Sequence, residues 1–146
     1  MESRFSLPEL NAELYRRMAA LTSAVENCGL DHQLLELIKM RASQINGCAY
    51  CIDIHSKAAR AAGETEQRLY ALNAWRETPF YTEREHAALA LTEAITLITD
   101  GHVPDAVYEQ AHRVFDEKEV GQIIWAAAVI NTWNRLAIAA RSVPGS

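Results

Sequence analysis

The chain has no cluster of basic residues, and acidic side chains outnumber basic ones. Nineteen Asp and Glu residues against fourteen Lys and Arg residues give a formal net charge of −5 at pH 7. Nucleic acids and anionic membrane surfaces attract proteins through positive patches. The charge pattern therefore argues against both, and we expect a protein that binds neither nucleic acid nor a membrane.

Long apolar stretches are also missing from the sequence. A membrane-spanning helix needs about 20 consecutive, mostly apolar residues, and the best candidate, residues 123–130, is far shorter. The N-terminal segment MESRFSLPEL lacks the apolar core of a secretory signal. Together these two absences predict a cytoplasmic protein.

Glycine, proline and strand-like patterns are scarce. Six Gly and four Pro residues among 146 leave room for long helices, and no segment shows sustained alternation rich in β-branched residues. Helix N-cap signals recur at Ser6 with Glu9, Asp31, Thr65, Thr82 with Glu85, and Asp116 with Glu119. We predict one all-α domain over residues 1–146, with about seven helices at 7–27, 31–46, 48–62, 65–75, 83–99, 104–115 and 117–141.

The last predicted helix is apolar on nearly every side between residues 120 and 140. A helix of this kind is either central to its domain or partly buried against another subunit. Asn131, Asn134 and Arg135 interrupt its apolar sequence. Because buried polar groups need partners, we expect these three to join helices or to hold an acidic residue in place.

Cysteine is rare, and two of the three cysteines form a CxxC pair, Cys48 and Cys51. Cys28 stands alone and is interpreted as a small buried apolar residue. In a reducing compartment a closely spaced pair is more often catalytic or metal-binding than structural. Gly47 is expected to end one helix, which places the pair on the first turn of the next. Backbone N–H groups and the helix dipole there favour the nucleophilic thiolate.

His55 and Glu36 extend this pair into a possible proton-transfer line. His55 lies four residues beyond Cys51, so both share one helix face, and an imidazole there can accept the thiol proton or stabilise the thiolate. If helices 31–46 and 48–62 fold back on each other at Gly47, Glu36 reaches a similar height to His55. We therefore predict the order Glu36, His55, Cys51, Cys48.

Two other interpretations of these residues remain open. Two thiolates, an imidazole and Glu36 could bind zinc, but no second CxxC or HxxxH follows, and the remaining histidines are scattered: His32, His86, His102 and His112. We accordingly expect no metal and no other cofactor. The pair could instead act as a redox sensor without turnover. The attacking thiol is also open, because the helix dipole favours Cys48 whereas His55 favours Cys51.

The spacing of these residues resembles a known family. A glutamate, eleven residues, CxxC, three residues and a histidine form the pattern of the alkylhydroperoxidase D-like core in the carboxymuconolactone decarboxylase superfamily. The segments NAWRETPFYTEREHAALALTEAIT and INTWNRLAIA are similar too, so the resemblance covers roughly residues 30–141. It implies an all-α fold and a peroxiredoxin-type alkylhydroperoxidase. It also implies homo-oligomers, trimers or hexamers, with sites near subunit interfaces.

The resemblance also implies roles for individual residues. Cys51 would attack the hydroperoxide, Cys48 would resolve the product as a disulfide, and His55 and Glu36 would relay protons. A lipoyl-bearing or thioredoxin-like dithiol partner would then reduce the disulfide. The well-known peroxidase members have a histidine directly before the second cysteine, where this chain has Tyr50, which implies a slower peroxidase. The decarboxylase branch lacks the CxxC pair, which argues against lactone decarboxylation here.

Overall fold

Eight α-helices and one 3-10 helix make up the regular structure of residues 1–145, the part of the chain that the computed structural model describes. No β-strand occurs among these residues, and the all-α prediction is confirmed. The elements are α1 (Leu7–Leu10), α2 (Ala12–Glu26), α3 (His32–Asn46), α4 (Ala49–Ala61), α5 (Glu66–Ala71), the 3-10 helix (Leu72–Glu77), α6 (Glu83–Thr96), α7 (Asp105–Val114) and α8 (Glu117–Ala140).

Side-chain caps begin four of these helices where the sequence predicts them. Asp31 caps α3 and Thr65 caps α5, each accepting a backbone N–H. Reciprocal capping boxes begin α6 and α8, and they pair Thr82 with Glu85 and Asp116 with Glu119. Each cap satisfies N–H groups that have no partner inside the helix.

Two predicted helices differ in the structure. The segment 7–27 is two helices, because Asn11 leaves the helical region with φ −132° and ψ 50°. Ser6 makes no side-chain cap hydrogen bond within the described residues, so the predicted capping box with Glu9 is wrong. The segment 65–75 is α-helical only to Ala71 and continues as the 3-10 helix.

Helix α8 is the central helix of the bundle. Ile123 and Ala127 are fully buried in the core that α8 forms with α3 and α6, while Ile124 and Trp125 on its other side are exposed. Among the described residues, α8 alone is long and apolar enough to cross a membrane by length and composition. The expectation that no stretch approaches that length is therefore corrected, because the interrupting residues are mostly uncharged. The core helix of a water-soluble bundle meets the same criterion.

A buried amide cluster joins the end of α3 to α8. The Asn46 side-chain N–H₂ donates to Oδ1 of Asn131 (2.9 Å) and of Asn134 (2.8 Å). Asn134 in turn donates to Ser43 Oγ at 3.0 Å, and Arg135 donates to Asn131 on its own helix. The asparagines thus join two helices, which was one of the two roles expected from the sequence. Their hydrogen bonds fix the chain just before Gly47.

The N-terminal arm, defined here as residues 3–26, lies against the C-terminal half of α8. The backbone N–H of Arg4 donates to the carbonyl of Ala140 at 3.0 Å. The indole of Trp133 donates to Thr22 Oγ1 at 2.8 Å and makes an edge-on contact with Tyr15, with ring centroids 5.4 Å apart. These contacts place the arm over the space beside α4.

Candidate functional site

Cys48 and Cys51 lie at the turn where α3 gives way to α4. Gly47 adopts the left-handed conformation (φ 68°, ψ 34°), which glycine reaches without a Cβ penalty. Cys48 is the N-cap of α4, and its sulfur accepts the backbone N–H of Cys51 at 3.3 Å. The two sulfurs are joined in a disulfide, with the Cα atoms 5.3 Å apart. The structure therefore describes the oxidised form of the pair.

Glu36 and His55 meet across the α3–α4 hairpin. His55 Nδ1 lies 3.0 Å from Glu36 Oε2. A carboxylate only accepts hydrogen bonds, so Nδ1 carries the proton in this contact. This assignment leaves Nε2 as the ring nitrogen available to a thiol or a substrate. The predicted juxtaposition of these two side chains is present, whereas their catalytic roles stay predictions.

The two cysteines differ in what they face. A cavity of about 470 Å³ is lined by Cys51 and His55, and also by their neighbours Tyr50 and Ile54. Both cysteines are buried, with Cys51 4% and Cys48 1% exposed, but Cys48 does not line the cavity. A small molecule in the cavity therefore meets Cys51 rather than Cys48.

The cavity wall is mainly apolar. Helix α8, the N-terminal arm, and Ser142 and Val143 of the C-terminal segment all contribute to its lining. The apolar lining from these elements is Phe5, Leu7, Pro8, Val25, Ala126, Val129, Ile130, Trp133 and Ala137. Pockets that bind small organic molecules are typically of this size and polarity, roughly 300–1,000 Å³.

Lys39 belongs to the same site and was missed in the sequence. Its ammonium group lies 2.9 Å from Glu36 Oε1, it also pairs with Glu26 of α2, and it lines the cavity. Burial lowers the pKa of Lys39 to about 8. The three-residue spacing from Glu36 puts both on one helix face, but lysine is almost always exposed, so nothing local marked it as buried.

Metal ligands do not gather at this site or elsewhere in residues 1–145. In that range no group of three or more His, Cys, Asp or Glu side chains could hold a metal ion. His55 is engaged by Glu36, and the paired sulfurs are bonded to each other. Cys28 is a free, half-buried thiol that packs against the main core.

The family model described as the carboxymuconolactone decarboxylase family matches residues 12–94. The chain belongs to this family. The uncharacterised family relative YdfG of Bacillus subtilis is 42% identical over 139 residues, covering 95% of each protein. The alkyl hydroperoxide reductase AhpD of Bradyrhizobium diazoefficiens is 40% identical over 45 residues, which is 31% of this chain and 25% of that protein.

Solved structures with the same architecture confirm the fold. A protein of unknown function from Agrobacterium tumefaciens, described as a candidate AhpD antioxidant defence protein, superposes with a TM-score of 0.97 at 39% identity over 99% of both chains. The debrominase Bmp8 has a TM-score of 0.81 at 22% identity, covering 93% of this chain and 73% of its own. At that identity Bmp8 shares the fold alone. The predicted AhpD-like, all-α architecture is thus confirmed.

Proposed function

We propose that this protein is a thiol-dependent peroxidase that reduces organic hydroperoxides with the Cys48–Cys51 dithiol. The observation that carries the proposal is the opening of Cys51 and His55 onto one apolar cavity, with Glu36 bound to the far side of the imidazole at 3.0 Å. This arrangement offers a nucleophile, a proton-transfer group and a binding space together. A family relative named AhpD supports the same chemistry.

The first step oxidises Cys51. Its thiolate attacks the terminal oxygen of the hydroperoxide, so that an S–O bond forms as the O–O bond breaks. The alkoxide that leaves takes a proton and departs as the alcohol. His55 supplies this proton from Nε2, and Glu36 stabilises the imidazolium through Nδ1. Cys51 is then a sulfenic acid.

The second step returns the pair to the disulfide form. The Cys48 sulfur attacks Cys51, an S–S bond forms, and the S–O bond breaks with release of water. Cys48 is well placed for this role because its sulfur is bonded to Cys51 in the structure. An external dithiol, carried by a lipoyl-bearing or thioredoxin-like protein, then reduces the disulfide by exchange and is itself oxidised.

The cavity favours a hydroperoxide with an apolar body. Its walls are mostly aliphatic and aromatic, and the ionisable side chains in its lining include His55 and Lys39. Tyr50 also lines this space. It stands directly before the second cysteine, where the well-known peroxidases of the resembling family have a histidine. A phenol does not replace an imidazole as a base near neutral pH. We therefore expect a modest turnover rate and a preference for organic hydroperoxides over hydrogen peroxide.

The test is steady-state consumption of an organic hydroperoxide with a dithiol reductant. Continuous turnover, with one disulfide formed in the reductant per hydroperoxide consumed, supports the proposal. A single oxidation of the pair without turnover, under several dithiol reductants, would instead favour a redox sensor. Activity that survives Cys51→Ala would indicate non-thiol chemistry on this fold.

A homo-oligomer, trimeric or hexameric, is part of the same proposal. The outer side of α8 exposes apolar side chains that a monomer would leave in water, namely Ile124, Trp125 and Ile138. Exposed apolar patches of this kind commonly mark subunit interfaces. Sedimentation equilibrium of the purified protein measures the state, and a monomer at micromolar concentration would contradict this part of the proposal.

A further inference from the structure

Lys39 is a charged residue with no role in the mechanism above. Its side chain is 7% exposed, and it lines the same cavity as Cys51 and His55. Lysine is rarely buried, and a buried ammonium group is tolerated only when charged partners surround it. Lys39 has two such partners, and these two contacts explain why its ammonium group can be buried in the site.

The two partners come from different helices. Glu36 of α3 offers Oε1 to Lys39 at 2.9 Å and Oε2 to His55 at 3.0 Å. Glu26, near the end of α2, also binds the ammonium group and lies 3.7 Å from the exposed ring of His32. The groups Glu26, Lys39, Glu36 and His55 therefore form a line of alternating charge when the imidazole is protonated.

We propose that Lys39 is a positioning residue for the thiol chemistry, which holds Glu36 oriented toward His55, supplies a positive charge to the site and thereby favours the Cys51 thiolate. The inference rests on the dithiol function proposed above. Two carboxylates and one ammonium group carry a net charge of −1, which one imidazolium neutralises. Removing the ammonium group makes the net charge of these three groups more negative by one unit. The more negative site opposes formation of the thiolate anion at sulfur.

The test compares thiol titrations of the reduced protein, followed by thiolate absorbance and by alkylation rate against pH. The variants are Lys39→Met, Lys39→Arg, Glu26→Gln and the double variant Glu26→Gln/Lys39→Met. Lys57→Met is the matched control, because Lys57 on α4 also pairs with a carboxylate, that of Asp53, but is exposed to solvent.

Lys39→Met is expected to raise the reactive thiol's pKa by about one unit, which is roughly a tenfold loss of thiolate at a fixed pH below that pKa. Lys39→Arg keeps the charge and should retain the thiol pKa. Glu26→Gln removes a negative charge and should not raise the thiol pKa. The double variant should return the thiol pKa toward the wild-type value. Lys57→Met should leave it unchanged, because solvent and salt screen exposed charges.

The proposal is overturned if Lys39→Met keeps the wild-type thiol pKa, or if Glu26→Gln raises that pKa as much as Lys39→Met does. Should Lys39→Met alone not fold, the double variant is compared with Glu26→Gln, because only Lys39 differs between these two proteins. A thiol pKa about one unit higher in the double variant than in Glu26→Gln supports the charge role, and equal pKa values contradict it.

These titrations need no peroxide, so they separate the two proposals. If substitution of Lys39 changes the thiol pKa but the protein consumes no hydroperoxide, the inference about Lys39 is supported and the peroxidase proposal is contradicted. If the protein turns over hydroperoxide but substitution of Lys39 does not change the thiol pKa, the peroxidase proposal is supported and the inference about Lys39 is contradicted.

Discussion

His55 Nδ1 lies 3.0 Å from Glu36 Oε2, although nineteen residues separate them in the chain. The contact exists because Gly47 reverses the chain between α3 and α4 and the amide cluster at Asn46 anchors that reversal to α8. A carboxylate fixed on Nδ1 orients the ring and leaves Nε2 as its free nitrogen. The pair thus places an oriented imidazole one helical turn beyond Cys51, at the cavity that both residues line.

Removing either member of this pair should slow peroxide reduction. We expect Glu36→Gln and His55→Ala each to reduce kcat/KM for an organic hydroperoxide by about 100-fold, the lower end for loss of a positioned acid or base. Stopped-flow oxidation of the reduced protein measures this step without the reductant. Lys57→Met, which alters an exposed ion pair on the same helix, is the control. Rates within twofold of wild type in both site variants would rule out the relay.

The roles of the two cysteines can be separated by trapping. We expect Cys48→Ser to accumulate a sulfenic acid on Cys51 after one equivalent of hydroperoxide, because the oxidised sulfur then has no resolving partner. Cys51→Ser should accumulate none, since Cys48 is 1% exposed and, unlike Cys51, does not line the cavity. Mass spectrometry after labelling with a sulfenic-acid probe identifies the modified residue. Labelling of Cys48 in Cys51→Ser, with none in Cys48→Ser, would reverse the assignment.

The helices and the spacing of the site were predictable from sequence, whereas the cavity was not. Local signals suffice for α3 and α4: Asp31 begins one helix, Gly47 ends it, and Cys48 begins the next. The Glu36–His55 contact follows from this hairpin by helix geometry. These features depend on residues close together in the chain.

Lys39 and the cavity depend instead on distant segments. The cavity forms where the N-terminal arm crosses α8, and the arm is held there by contacts such as Trp133 with Thr22. Nothing near Lys39 in sequence indicates that Glu26 approaches it from α2. The partners of the polar residues in α8 were also hard to predict from sequence. Asn131 and Asn134 make hydrogen bonds to Asn46 and Ser43 of α3, and not to an acidic group.

The amide cluster should matter for stability and not for thiol chemistry. Asn134 is fully buried, accepts from Asn46 and donates to Ser43. Asn134→Ala removes both hydrogen bonds and leaves the fully buried Ser43 hydroxyl without this donor, while Asn46 keeps its bond to Asn131. We therefore expect a loss of about 1–3 kcal/mol in the free energy of unfolding. Urea denaturation of the reduced protein measures it. Thr132→Ala, on the exposed side of the same helix, is the control and should change stability by less than about 0.5 kcal/mol. An unchanged midpoint in Asn134→Ala would contradict the role given to the cluster.

Glu93 should make the fold sensitive to acid. Burial alone would raise the pKa of this carboxyl group, but hydrogen bonds from Arg76, Trp75 and Arg41 lower it below its ordinary value of 4.5. The unfolded chain therefore takes up a proton more readily than the folded protein. The resulting stability is present above pH 4.5 and is lost as the pH falls toward the lower pKa of the folded state.

Glu93→Gln removes this titration and weakens the three hydrogen bonds. We expect the variant to be less stable than wild type at pH 7 by about 1.5–3 kcal/mol, the range for hydrogen bonds to a charged group. The difference between the two proteins should shrink as the pH falls below 4.5, because the wild-type carboxylate is then protonated on unfolding. Urea denaturation at a series of pH values measures both effects, with exposed Glu109→Gln as the control. A stability difference that stays constant from pH 7 to pH 3 would mean that the charge of Glu93 contributes nothing, since loss of packing alone does not depend on protonation.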